Sequence, residues 1–163
     1  MSAVDHSPTP LSSGLSIGAG GLAVAAAGTS AGAAIGVLGL VLLGAGALRA
    51  SRRAVTVGAL LVFGGVVLSG AMGAGPVPML LGTAAAVLAW DLGEQAINLG
   101  EQLGADARTR NAELVHAANS TLVGVIGIAI GYGLFLVSSG GQPVTALVVL
   151  LAAALLIAAA LRG

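Results

Sequence analysis

The chain has 163 residues, of which 57% are hydrophobic and 7% charged, with a mean hydropathy of +1.06. A soluble globular domain is about 45–50% apolar and about 25% charged, so this composition excludes a soluble monomeric globule and a disordered chain. Six basic residues balance six acidic ones and there is no Cys, which excludes a basic nucleic-acid face, disulfides and a thiolate metal site. Small residues dominate, with 34 Ala and 27 Gly, as is typical where helices pack closely in lipid.

The apolar segments predict an all-α fold, a polytopic transmembrane helical bundle. A bilayer core of about 30 Å requires about 20 apolar helical residues, and the uncharged run 11–48 is long enough for two spans. After a polar tail at 1–10, one transmembrane domain is expected at 11–163, with spans at 11–27, 31–48, 54–72, 76–97, 121–137 and 144–161. A five-span alternative stays open, because the Gly- and Ala-rich segment 11–27 could lie on the membrane instead of crossing it.

The arginines predict the orientation. Six spans place every arginine on one side of the membrane, in three places: Arg49, Arg52 and Arg53 between spans two and three, Arg108 and Arg110 between spans four and five, and Arg162 after span six. Because arginine-rich loops stay on the cytoplasmic side, we expect a multi-pass protein of the cell membrane with both termini cytoplasmic. Five spans would place the N-terminus outside.

The extended polar segment predicts a cytoplasmic helical hairpin at 98–120, between spans four and five. Polar residues recur there every three to four positions, as on one face of an amphipathic helix. A candidate docking tip for partner proteins consists of Glu101, Asp106, Arg108 and Arg110. Folding the hairpin at 105–106 places four pairs face to face: Glu101 with Arg110, Asn98 with Glu113, Gln95 with His116, and Asp91 with Ser120.

A candidate polar cluster lies where this hairpin enters the membrane. Its members are Asp91, Glu94, Gln95, Asn98, Glu113, His116 and Asn119. The 12 residues between Pro78 and Asp91 cover only about 18 Å of the ~30 Å core, so Asp91 is expected at or inside the inner interface. An ionisable group at that depth is costly and therefore suggests a function.

Three interpretations of this cluster compete: a structural clamp between spans four and five, a proton or ion path, and a metal site. The remaining alternative is a solvated cytoplasmic surface. The outer halves of the spans contain no acidic or basic residue, so a full relay is missing. Glu113 and His116 match the Glu-x-x-His spacing of di-iron bundles, but a second such motif is absent. We therefore predict no metal and no cofactor, and the clamp is favoured.

Several glycines recur at four-residue spacing, which favours close helix contacts in membranes. The sets are Gly14 with Gly18, Gly28 with Gly32 and Gly36, and Gly127 with Gly131. With 27 glycines in the chain, any one pair can also arise by chance. The chain has no nucleophile–base arrangement, phosphate loop or dinucleotide fingerprint in a suitable context, so we predict no enzymatic activity.

Four segments resemble a family of small haloarchaeal membrane proteins of unknown function. They are the helix at 90–104, the segment at 113–117, the Gly-Gln-Pro turn at 141–143 and the Ser-Arg-Arg loop at 51–53. The resemblance covers most of the chain from about residue 30. Members of that family tend to be encoded beside a MoxR-type AAA ATPase and its membrane partners. The resemblance therefore implies a partner protein in a membrane complex and supplies no catalytic residue.

The expected function is that of a structural or accessory membrane subunit. Its cytoplasmic hairpin would dock partner proteins, and its other contacts would be the lipid bilayer and either other membrane proteins or further copies of itself. The alternative is a small channel or transporter component that uses Asp91, Glu94 and His116 at the inner membrane face.

Overall fold

The computed structural model describes residues 7–28, 31–103 and 109–137, and these form five α-helices and no strand. The helices are α1 (Pro10–Ala26), α2 (Ala31–Leu48), α3 (Arg52–Ala71), α4 (Pro76–Leu103) and α5 (Arg110–Val137). Helices α2 to α5 are long and apolar enough to cross a membrane, whereas α1, with 17 residues, is shorter. The all-α prediction is thus confirmed for the described residues. The four long apolar helices indicate a membrane protein. The predicted turn at 138–143 and sixth span at 144–161 lie outside the described residues.

Local sequence explains where the helices begin. Pro10 opens α1, since proline is favoured in the first turn, where its missing N–H has no partner to lose. Ser51 caps α3, and its Oγ accepts a hydrogen bond from the Ala54 N–H at 3.4 Å. Gly73, at φ +97°, reverses the chain before Pro76 begins α4. α4 and α5, with 28 residues each, continue past the expected ends of spans four and five, so the two arms of the predicted hairpin are helical extensions of these spans.

One face of α1 packs against the bundle along the whole helix. α1 runs antiparallel to α4: the Thr9 N–H donates to the Ala96 carbonyl at 3.1 Å, and the Ser16 hydroxyl donates to the Ala89 carbonyl at 2.6 Å. About two turns further along α1, Ala23 packs in a buried cluster with Ala86. α1, α2, α3 and α4 all contribute to the buried core, which consists of three small clusters: Ala19, Leu43, Ala59 and Ala89; Ala23, Val62, Val66 and Ala86; and Ala47, Val55 and Ile97.

Glycines at seven-residue spacing hold α2 against α3. Gly32, Gly39 and Gly46 of α2 are all buried, and a Cβ built on any of them would overlap atoms of α3. At Gly39 such an atom would lie 2.6 Å from the Val62 nitrogen. The missing side chains let the two backbones approach closely, which increases van der Waals contact where lipid offers no hydrophobic driving force. A seven-residue period keeps one face of a helix toward its neighbour.

The predicted four-residue glycine sets have different outcomes. Gly32 and Gly36 are buried helix contacts, the first on α3 and the second on Val24 of α1. Gly14 and Gly18 face open space, where an added Cβ would meet no atom within 4 Å. The α1 pair is therefore not a contact face among the described helices.

Among the described helices, α5 packs mainly on α4, and these helices leave most of its surface uncovered. Of its 28 residues only Glu113 is buried. Leu122, Val123, Val125 and Ile126 are each about half-exposed or more, and four positions so close in sequence face more than one side of a helix. This apolar surface suits lipid or another helix and cannot face water.

We predict that Gly39→Ala destabilises the bundle, because the added methyl group collides with the α3 backbone. Overpacking of this kind costs about 1–3 kcal/mol of unfolding free energy. The control is Gly64→Ala on α3, where an added Cβ meets no atom within 4 Å. Denaturant unfolding in micelles, followed by far-ultraviolet circular dichroism, measures both. Equal stability of the two variants would contradict the glycine contact.

Candidate functional site

The charged side chains of the described residues all lie at one end of the bundle, called here the polar end. The antiparallel order brings together the N-termini of α1, α3 and α5 and the C-termini of α2 and α4. The charged residues there are Arg49, Arg52, Arg53, Asp91, Glu94, Glu101, Arg110 and Glu113. At the opposite end, the described residues 20–28, 71–76 and 130–137 contain no charge.

Arg52 connects α3 to three residues of α4. Its Nη1 donates to Glu94 Oε2 at 2.9 Å, and its Nη2 donates to Asn98 Oδ1 and to Glu101 Oε2 at 2.7 Å each. Residues at these helical spacings share one face of α4. The Arg52 and Glu101 side chains are 41% and 52% exposed, so solvent screening limits each ion pair to at most about 1 kcal/mol. The network chiefly fixes the register of α3 against α4.

Glu113 joins the beginnings of α1 and α5. Its Oε2 accepts hydrogen bonds from the Ser12 N–H at 2.8 Å and from the Ser12 hydroxyl at 2.7 Å. Its Oε1 accepts one from the Thr109 hydroxyl at 2.8 Å. The residue is 3% exposed, and a buried carboxylate is tolerated only when hydrogen bonds replace its hydration. The Ser12 amide is one of the free N–H groups of the first turn of α1, so Glu113 also caps that helix.

Asp91 joins the middle of α4 to α5. His116 Nε2 lies 2.8 Å from Asp91 Oδ2, and the Ser120 hydroxyl donates to the same oxygen at 2.6 Å. The Asp91 and His116 side chains are about one-third exposed. His116 and Ser120, four positions apart, share one face of α5, so both reach one carboxylate. The two bonds join α4 to α5.

Helix lengths indicate the depth of Asp91. α3 has 20 residues, which at 1.5 Å each make about 30 Å, the thickness of the hydrocarbon core. If α3 just crosses that core, Arg52 and its partner Glu94 mark one interface. Asp91 precedes Glu94 by three residues on α4 and therefore lies about one turn deeper. This estimate supports the expectation that Asp91 sits at or inside the interface.

Of the four side-chain pairs expected from the hairpin, one is present and three are replaced by other hydrogen bonds. The pair that is present joins Asp91 and Ser120. Asn98 and Glu101 bond Arg52 of α3, Glu113 bonds α1, and His116 bonds Asp91. The expected pairs considered only the two arms of one hairpin. Because α1 and α3 also pack against this part of α4, they supply the partners that are observed.

The other predicted residues are placed as follows. Gln95 is half-buried on α4. Asn119 lines a groove between α4 and α5 beside Asp91. Arg110, the first residue of α5, is exposed. Asp106 and Arg108 lie outside the described residues.

Sequence reasoning missed the serines of α1. Ser12, Ser13 and Ser16 are all buried and bond to Glu113, the Ala47 carbonyl and the Ala89 carbonyl respectively. Small polar residues three to four positions apart in an apolar helix are a known source of interhelical hydrogen bonds. Their clustering in the first two turns of α1 was the available signal.

The described residues contain no group of three or more His, Cys, Asp or Glu side chains that could hold a metal ion. Glu113 and His116, the two residues with di-iron spacing, bond to different helices: Glu113 to α1 and His116 to α4. The side chains of the polar end therefore hold helices together through hydrogen bonds, and its exposed arginines give this end a charged surface.

A sequence-family model matches residues 6–158. The chain belongs to DUF7519, a family of unknown function. No curated protein and no solved structure matches it. The matched residues include all five described helices and residues 144–158 of the predicted sixth span.

We predict that Glu113→Ala costs about 1–3 kcal/mol of unfolding free energy, because the Ser12 amide and hydroxyl lose their acceptor while buried. Glu101→Ala is the matched control: it removes the same charge at an exposed position and should cost at most about 1 kcal/mol. Denaturant unfolding in micelles gives both values. Hydrogen exchange of the amides near residues 12 and 113 should accelerate only in Glu113→Ala. Similar losses in the two variants would contradict the buried junction.

Proposed function

We propose that this protein is a non-enzymatic structural or accessory subunit of a membrane complex, and that it docks partner proteins through its polar end. The observation that carries the proposal is that the polar groups of this end serve to fasten helices. Arg52, Asp91 and Glu113 each bond to another helix. A site whose carboxylates are engaged in this way suits a rigid platform better than a reaction centre.

Exposed charge at the same end supports docking. Arg110, on the hairpin, is exposed, and within the described part of the chain it forms no salt bridge. Such a residue steers charged partners toward a surface. The proposed docking element remains the hairpin at 98–120, with Glu101, Asp106, Arg108 and Arg110 at its tip.

The proposed topology has six spans with both termini in the cytoplasm of a haloarchaeal cell. The antiparallel path of α1 along α4, from Ala96 to Ala86, favours a crossing α1 over one that lies on the membrane. The turn at 72–76 lies at the opposite end, which has no charge in the described residues. Because arginine-rich loops stay on the cytoplasmic side, this favours an outer location for the turn. The sixth crossing rests on the apolar segment 144–161.

The resemblance noted above suggests the class of partner. A MoxR-type AAA ATPase is a soluble cytoplasmic protein, so it would meet the polar end and not the apolar one. Helix α5, whose apolar surface is largely uncovered, would contact the other membrane subunits of such a complex or a second copy of this chain.

A small channel or transporter component is the second candidate. It is favoured by Asp91, Glu94 and His116, which are ionisable groups near the inner interface. Asp91→Asn and His116→Ala should then abolish flux in assembled protein. In the docking proposal these changes weaken the contact between α4 and α5 and leave partner binding intact.

Co-purification from native membranes tests the docking proposal. We expect partner proteins to accompany the tagged wild type and to be lost from the Arg108→Ala, Arg110→Ala double variant, because it removes the positive charge of the tip. Arg53→Ala, which removes an exposed arginine outside the hairpin, is the control and should keep its partners. A wild-type protein that always emerges alone, or a double variant that retains every partner, would overturn the proposal.

A further inference from the structure

The groove between α4 and α5 has a defined shape and lining. Its volume is about 660 Å³, within the range of small-molecule sites. It extends along α4 from Leu80 to Asp91, about 17 Å at 1.5 Å per residue. Its walls are aliphatic, including Val87, Leu88 and Ile128. Gly127, on the α5 side, leaves room, since a Cβ built there meets no atom within 4 Å.

Among the described residues that line the groove, the ionisable ones are Asp91 and His116, and both stand at its polar end. Both hydrogen bonds given to Asp91 fall on Oδ2, so its Oδ1 receives none from the described residues. The Asp91 side chain is 36% exposed. Arg52, the arginine nearest along the bundle axis, is already bonded to Glu94, Asn98 and Glu101.

This combination selects the ligand by charge and shape. A carboxylate one turn below the interface gains most from a cation that it can contact directly. Trp90 also lines the groove and is 44% exposed, and an indole face favours cations. The remaining length accepts an aliphatic chain. An anionic headgroup would meet the Asp91 carboxylate and no arginine, so the lining disfavours it.

We propose that the α4–α5 groove binds a cationic amphiphile, with its ammonium head at Asp91 and its aliphatic chain along α5. Asp91 Oδ1 contacts the head, while His116 and Ser120 hold the other oxygen in place. This site does not depend on the docking function, because the described residues that line it include neither Glu101 nor Arg110 of the hairpin tip.

The probe is radiolabelled dodecyltrimethylammonium, equilibrated with the full chain in nanodiscs of uncharged phosphatidylcholine. Empty nanodiscs measure simple partition into lipid. We expect a saturable component of one probe per chain above that background. Unlabelled dodecyltrimethylammonium should displace it, whereas dodecanol, which has the same chain and no charge, should not.

Two pairs of variants locate the site. Asp91→Asn removes the charge and should weaken binding at least tenfold, whereas Glu101→Gln removes an exposed charge outside the groove and should not. Gly127→Leu fills the groove and should also weaken binding at least tenfold. Gly133→Leu is its control, because an added Cβ there also meets no atom within 4 Å and the residue does not line the groove.

Circular dichroism melting shows whether each variant is folded. If Asp91→Asn does not fold, Gly127→Leu and the dodecanol competition decide the matter. The proposal is overturned by the absence of a saturable component, by equal displacement with dodecanol, or by unchanged binding to a folded Asp91→Asn or Gly127→Leu variant.

Discussion

Ionised groups cannot face hydrocarbon, and this constraint organises the whole molecule. An antiparallel bundle gives each charged segment a place at the same end, because α1, α3 and α5 begin where α2 and α4 finish. Three of these charged groups then bond across helices: Arg52 pairs with Glu94 and Glu101 and joins α3 to α4, Glu113 accepts from Ser12 and joins α5 to α1, and Asp91 accepts from Ser120 and joins α4 to α5. The polar end is therefore both the water-facing surface and the set of contacts that fix how the helices are arranged.

Away from that end, close approach of backbones replaces hydrophobic burial. Lipid is as apolar as leucine, so helices gain little by hiding large side chains from it. The core accordingly consists mostly of Ala and Val, and glycines such as Gly39 and Gly58 bring α2 and α3 into contact. Large side chains such as Leu38 and Leu60 point outward, the reverse of their usual position in a soluble protein.

The sequence predicted the helices well, because long uncharged runs and Gly-Pro turns are strong local features. It predicted the Asp91–Ser120 contact, because the two residues lie on consecutive helices at equal distances from the expected fold at 105–106. It did not predict that Glu101 bonds Arg52 or that Glu113 bonds Ser12, because the bonded residues are 49 and 101 positions apart in the sequence, respectively. Periodicity identifies the face on which a residue lies, but only the packing of α1 and α3 on α4 selects its partner.

In the proposed topology the polar end faces the cytoplasm and the opposite, uncharged end faces the outside. The chain has no Cys, so single cysteines can report on it directly. Ala50, between α2 and α3, and Gly75, between α3 and α4, are exposed at opposite ends. A membrane-impermeant maleimide added to intact cells should label Gly75→Cys and should label Ala50→Cys only after permeabilisation. Labelling of Ala50→Cys in intact cells, or equal labelling of both, would contradict the account.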